Sequence, residues 1–290
     1  MLGLAYPGLP LVAVDAASPA GQAGVEKALR NLRRTTMGAA IAAMFGTGLA
    51  GAAAAQETDL PAVSQPNASV SAGGGITRNR GTSRFEAVGT LPIGRRFGVQ
   101  GDAQVGNDGS KTRWGVTGYA FWRDPNRALV GIVSSWQQRG SFTLGRSGAQ
   151  GELYVGDYTV GARIGAQYGK ARDGFFGQFE VRWYPWADWK LGAGGDFAPG
   201  GRNMAHFGTE YQPAISSLPG LALFAEGDVG TKNYYRALFG VRYYFGETKS
   251  LKRRHREDDP MPFTGSETQT LNTQPANTTT TPSAGYVPPP

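Results

Sequence analysis

The 290-residue chain contains no cysteine, which excludes a disulfide framework and any cysteine-ligated metal, and its 44 glycines, without a collagen period, argue against a helical protein. The net charge of +7 falls to +5 once residues 1–56 are set aside. Lys and Arg then alternate with Asp and Glu along strand-like segments instead of forming one basic stripe, so no nucleic-acid partner is expected.

Arg30, Arg33 and Arg34 precede the uncharged run MGAAIAAMFGTGLAGAAAAQ, which closes on Ala53-Ala54-Ala55. A basic region, an apolar stretch and an A-x-A site make a secretory signal peptide, with the mature chain starting at Glu57. Residues 1–24 stand ahead of that basic region, which fits a true translation start at Val25 or Leu29. Residues 57–66 read as a linker.

From there period-two alternation recurs roughly every fifteen residues, with Gly, Pro, Asn or Asp between, and predicts about twelve strands. They fall near Ala68–Thr77, Arg84–Leu91, Arg96–Val105, Arg113–Arg123, Ala128–Gln137, Gly148–Gly156, Tyr158–Tyr168, Phe175–Pro185, Trp189–Phe197, Met204–Tyr211, Leu221–Val229 and Tyr234–Phe245. Tight turns are expected at 92–95, 123–126, 156–157 and 185–188, with a slightly longer one at 216–220. The one long connection is expected at 138–148. Short turns on one side and longer loops on the other are the barrel pattern. Trp114, Trp122, Trp136, Trp183, Trp186 and Trp189 lie near strand ends, as an interfacial aromatic girdle requires.

In the last strand Tyr235, Ala237, Phe239, Val241, Tyr243 and Phe245 form an apolar file, opposite Arg236, Leu238, Gly240, Arg242 and Tyr244. Its end, Gly240-Val241-Arg242-Tyr243-Tyr244-Phe245, resembles the C-terminal β-signal of Gram-negative outer-membrane barrels, a glycine followed by aromatics three and five residues later. The resemblance covers about 67–246. It implies an all-β, closed, antiparallel up-and-down transmembrane barrel in the outer membrane, surrounded by lipid, with Gly240, Tyr243 and Phe245 read by the barrel insertion machinery. The sequence departs from the family by Leu238, where a polar residue is usual, and by the long segment after Phe245.

That segment, 247–290, opens on a basic knot from Lys249 to Arg256, meets Glu257, Asp258 and Asp259, and continues in Thr, Asn, Pro and Ser. The composition predicts a disordered periplasmic tail, with a reach on the order of 35 Å toward the cell wall or a periplasmic partner. The simpler expectation for it is a solvated overhang with a charged collar at the barrel rim.

The opposite file would line the lumen with Arg163, Glu180, Arg182, Lys190, Asp196, Glu210, Glu226, Asp228, Arg236 and Arg242, accompanied by Arg84, Glu86, Arg96, Asp102, Arg113, Glu152 and His206. Order along the chain suggests a basic wall, from Arg163 through Lys190, facing an acidic one of Glu210, Glu226 and Asp228. Such charges can pair and hold the lumen shut, or line a narrow pore for ions and small polar solutes. A surface interaction barrel acting through 138–148 is a rival use, and a secreted soluble β-sandwich is the alternative fold. A lipid-modifying enzyme ranks last: His206 has Glu210 on its own face, and Ser147 lacks the strand–turn–helix setting of a nucleophile elbow. No catalytic, metal or cofactor site is expected.

Overall fold

The alternating segments form twelve strands in a computed structural model that describes residues 60–109, 111–258 and 270–273. They are β1 Asn67–Thr77, β2 Arg80–Ile93, β3 Phe97–Asp108, β4 Thr112–Asp124, β5 Ala128–Arg139, β6 Phe142–Val155, β7 Tyr158–Gly169, β8 Gly174–Trp186, β9 Trp189–Ala198, β10 Arg202–Tyr211, β11 Leu221–Gly230 and β12 Tyr234–Tyr244, followed by a helix, α1, at Leu251–Glu257. Each strand pairs antiparallel with its sequence neighbours, and β12 returns to β1 from Ser69↔Tyr244 to Thr77↔Arg236, so the sheet closes. A closed sheet has no unpaired edge, which is the condition for strands to cross a membrane.

The two files separate as the pleat dictates. Phe85, Ile132, Phe175, Phe207 and Phe239 project outward and are exposed, while the residues between them, such as Glu86, Arg182 and Arg242, point inward and are buried. The polar side is therefore inside. This is the inverse of a soluble sandwich and the arrangement of a transmembrane barrel. Trp114 and Trp136 lie outside near one mouth, and Trp122, Trp183, Trp186 and Trp189 near the other. They form two aromatic levels, and Trp186 stacks on Trp189 at 5.0 Å.

Tight packing at the seam explains one glycine. A Cβ on Gly240 would run into the Ala72 carbonyl oxygen and the Phe224 ring, so β12 and β1 approach this closely only without a side chain there.

Connections at the mouth that carries both barrel termini are 94–96, 125–127, 156–157, 187–188 and 212–220; those at the far mouth are 78–79, 109–111, 140–141, 170–173, 199–201 and 231–233. The expected contrast between short and long sides is absent, and the longest connection is on the termini side. The long loop expected at 138–148 is replaced by a two-residue hairpin at Gly140-Ser141, with Gly140 at φ +59°. The first half of β6 reverses the usual pattern: Leu144 points inward, whereas Ser147 is on the outer face, hydrogen-bonded to Ser134 and Tyr168.

The expected linker and the start of the expected disordered tail are ordered. Ala62 and Val63 are buried at the termini mouth, Val63 among Tyr119, Phe121, Leu129, Val133 and Tyr154, which form an apolar patch on the inner wall. Residues 251–257 form α1 across the same mouth. Farther along, Leu271 packs on Leu144 and Ala171 at the far mouth, so the described parts of the tail sit at both ends of the barrel. The signal peptide, the 1–24 start and most of the tail lie outside the described residues.

Candidate functional site: the lumen and its two mouths

All ten charged residues named for the lumen face inward, and they gather into local clusters instead of opposed walls. Glu226 on β11 accepts from Arg84 at 2.6 and 2.9 Å and from Arg236 at 3.0 Å, and Arg236 also donates to Asp228 at 2.5 Å. Glu210 on β10 accepts from Arg242 at 3.1 Å, lies 3.5 Å from Lys190 and takes the Tyr244 hydroxyl at 2.7 Å. Arg182 is held between Glu152 and Glu180, 2.9 Å from each. Arg163 reaches Gln150 and the Tyr119 hydroxyl, both at 3.3 Å. The basic-wall expectation fails because register, and not chain order, decides which charges meet. Antiparallel pairing sets Lys190 opposite Glu210 and Arg236 opposite Asp228, one acid for each base.

His206 shares the inner face of β10 with Glu210, as expected, and its hydrogen-bond partner is Asp196, at 3.2 Å. One placement differs from the sequence expectation: Arg96 lies in the 94–96 turn, 3.8 Å from Asp124, and not on the lumen wall.

At the termini mouth the barrel caps α1 at both ends. The first amide, Leu251 N, donates to Asp188 Oδ1 of the β8–β9 turn at 3.0 Å, placing a carboxylate at the positive end of the helix. At the other end Arg123 of β4, fully buried, donates to the carbonyls of Arg256 and Asp258 at 3.2 Å. Between the caps, Lys252 reaches Asp157 at 2.8 Å, Arg254 reaches Gln212 at 3.2 Å, and Arg256 reaches the Tyr158 carbonyl at 2.7 Å. Leu251 packs on Ala222 and Tyr244. Lys249, just before the helix, joins Asp258 at 2.9 Å and Ser64 at 2.5 Å, clipping the 60–66 segment to the helix end. These partners come from β4, β7, β11, β12 and the turns after β6, β8 and β10, so α1 lies across the opening as a stopper.

Sequence reasoning missed this stopper because its caps are 63 and more than 100 residues away. The one available signal was the alternation of Lys and Arg with Leu251 inside the basic knot.

For the β-signal residues, Gly240 lies in the seam, Tyr243 and Phe245 meet edge to face at 5.0 Å, and the Phe245 amide donates to the Ala68 carbonyl at 2.8 Å.

By fold the chain is a twelve-stranded outer-membrane β-barrel, associated with membrane lipid through its apolar exterior. Among solved structures it is similar to the KdgM porin, with a TM-score of 0.50 and 13% identity over 61% of this chain and 99% of that one. It also matches an outer-membrane channel from Pseudomonas putida F1, with a TM-score of 0.47 and 10% identity over 66% and 100% of the two chains. A third match is the outer-membrane phospholipase A of Escherichia coli, with a TM-score of 0.43 and 12% identity over 62% and 92%. The KdgM likeness carries the comparison, and it speaks to fold. No protein-family model and no curated protein matches the chain.

Proposed function

We propose that this protein is a passive, narrow pore of the outer membrane for ions and small polar solutes, stoppered at its termini mouth by α1. The observation that carries this reading is in the middle of the lumen. Glu226 retains 26% of its side-chain exposure and His206 18%, although both face inward, so the lumen admits water at their level. A barrel of this size lies between those filled by their own side chains and the open porins. Its even strand count directs the termini mouth to the periplasm. Gly240, Tyr243 and Phe245 serve as the residues the insertion machinery reads, and α1, at the termini mouth, is the part of the tail that faces a periplasmic partner or the cell wall.

A purely structural envelope role is the second reading, favoured by the ion pairs that fill most of the wall. The adhesion reading loses its basis with the 138–148 loop. A non-enzymatic role is supported by Ser147 and His206 facing opposite sides of the wall, where no nucleophile–base pair can form.

Planar-bilayer recording separates the two leading readings. The full chain should show rare, small openings, and a chain truncated after Gly246 should conduct steadily. Silence from both proteins across ionic conditions would leave the structural role.

A further inference from the structure

We propose that the far mouth holds a binding site for oxyanions, the phosphate or carboxylate groups of small solutes at the entrance to the lumen. The proposal rests on the pore reading and names the class of solute the pore would gather. A cavity of about 220 Å³ opens there, lined by Thr77, Arg78, Arg80, Asp108, Arg139 and Asn272. Its charge is lopsided. Among the described residues Asp108 is the one lining carboxylate, and Arg139 is bonded to it. Arg78 donates to a neutral acceptor, the Asn272 carbonyl, at 3.1 Å.

Register brings a further cation to this end of the lumen. Arg113 and Arg139 are direct cross-strand partners on the inner face of β4 and β5, and Asp108, bonded to Arg139, is the carboxylate beside them.

The turns around the cavity continue the pattern. Each of the six connections at this mouth carries or adjoins a cation: Arg78, Lys111, Arg139, Arg172, Arg202 and Lys232. Among the described residues the carboxylates there are Asp108 and Asp173, whereas the termini mouth interleaves its cations with Asp124, Asp157, Asp188, Glu257 and Asp258. The excess is kept at a conformational cost. Arg78, at φ +49°, and Lys232, at φ +64°, occupy left-handed turn positions where Gly, Asn or Asp is usual. Guanidinium forks match carboxylate and phosphate oxygens two at a time, and the cavity is sized for a small solute and not for a folded partner.

Isothermal titration of citrate and of inorganic phosphate into the full-length barrel, folded in a maltoside detergent without lipid, tests the site. Saturable binding that weakens with salt and falls at least tenfold in R78Q/R80Q is expected, with R95Q/R96Q at the opposite mouth binding as the parent does. Heat-modifiable migration confirms that each variant is folded, and R80Q alone substitutes if the double variant is not. Absence of saturable binding, or equal loss in R95Q/R96Q, overturns the proposal. Binding that appears only when anionic lipid is the titrant assigns the rim to the outer leaflet and likewise overturns it. Bilayer reversal potentials judge the underlying reading separately: a conducting but cation-preferring pore ends the anion site and keeps the pore, while saturable citrate binding by a barrel that never conducts keeps the site and ends the pore.

Discussion

His255 of α1 hydrogen-bonds Tyr244 of β12 at 3.1 Å, tying the stopper to the strand that closes the barrel. The bond fixes where the protons are. Tyr244 gives its hydroxyl proton to Glu210, so its oxygen accepts from His255 Nε2–H, and His255 Nδ1 accepts from Tyr184 at 3.0 Å. The imidazole docks neutral.

That neutrality makes the stopper sensitive to pH. Burial, helped by Lys190, Arg182 and Arg242, holds the His255 imidazole well below its ordinary value of 6.5, against the pull of Glu210. A released helix takes up a proton below pH 6.5 that the docked helix refuses. Docking is therefore unaffected above that pH and weakens as pH falls through it, up to about tenfold per pH unit. Conductance recorded from neutral to acidic pH should rise below that point, and H255Q should flatten the profile. A parent profile identical to that of H255Q would show that another group sets the response.

The two caps should matter unequally. D188A removes a helix N-cap and should weaken docking by about 1 kcal/mol. R123Q leaves buried carbonyls without their charged donor and should cost more, about 1–3 kcal/mol. Limited trypsin digestion at Lys252 and Arg253 reports the released helix, with R123Q cut fastest and D188A intermediate.

In the lumen, Glu226→Gln leaves Arg84 and Arg236 facing each other across a neutral amide. Discounted for the partial exposure of Glu226, the loss should be about 1–3 kcal/mol in urea unfolding, with conductance retained. Arg182→Glu is a different experiment: Arg182 is fully buried between Glu152 and Glu180, so the variant would crowd three carboxylates and should fail to fold.

At the seam, Tyr243→Asp or Phe245→Asp should abolish assembly, because a charge on the lipid face of the closing strand is costly at membrane depth. Gly240→Val should do the same by separating β12 from β1. Deleting everything after Asp259 removes the Leu271 contacts but should leave a heat-modifiable barrel. A folded Y243D protein together with an unfolded truncation would place the end of the fold elsewhere.

The sequence by itself determined the barrel wall. An alternating strand declares its faces locally, so Tyr234–Tyr244 could be divided into lipid and lumen files residue by residue, and glycine or proline marked nearly every turn. It was silent where alternation lapsed: the first half of β6, with Leu144 turned inward and Ser147 outward, looked like a loop. Only the tertiary structure decided which charges meet, since the pairing of Lys190 with Glu210 depends on register between strands. It also decided that seven residues of an apparent overhang, Leu251–Glu257, are a helix. A segment that short has too few internal hydrogen bonds to form alone. It exists because Asp188 and Arg123, far apart in the chain, are held by the closed barrel at the distance of its two ends.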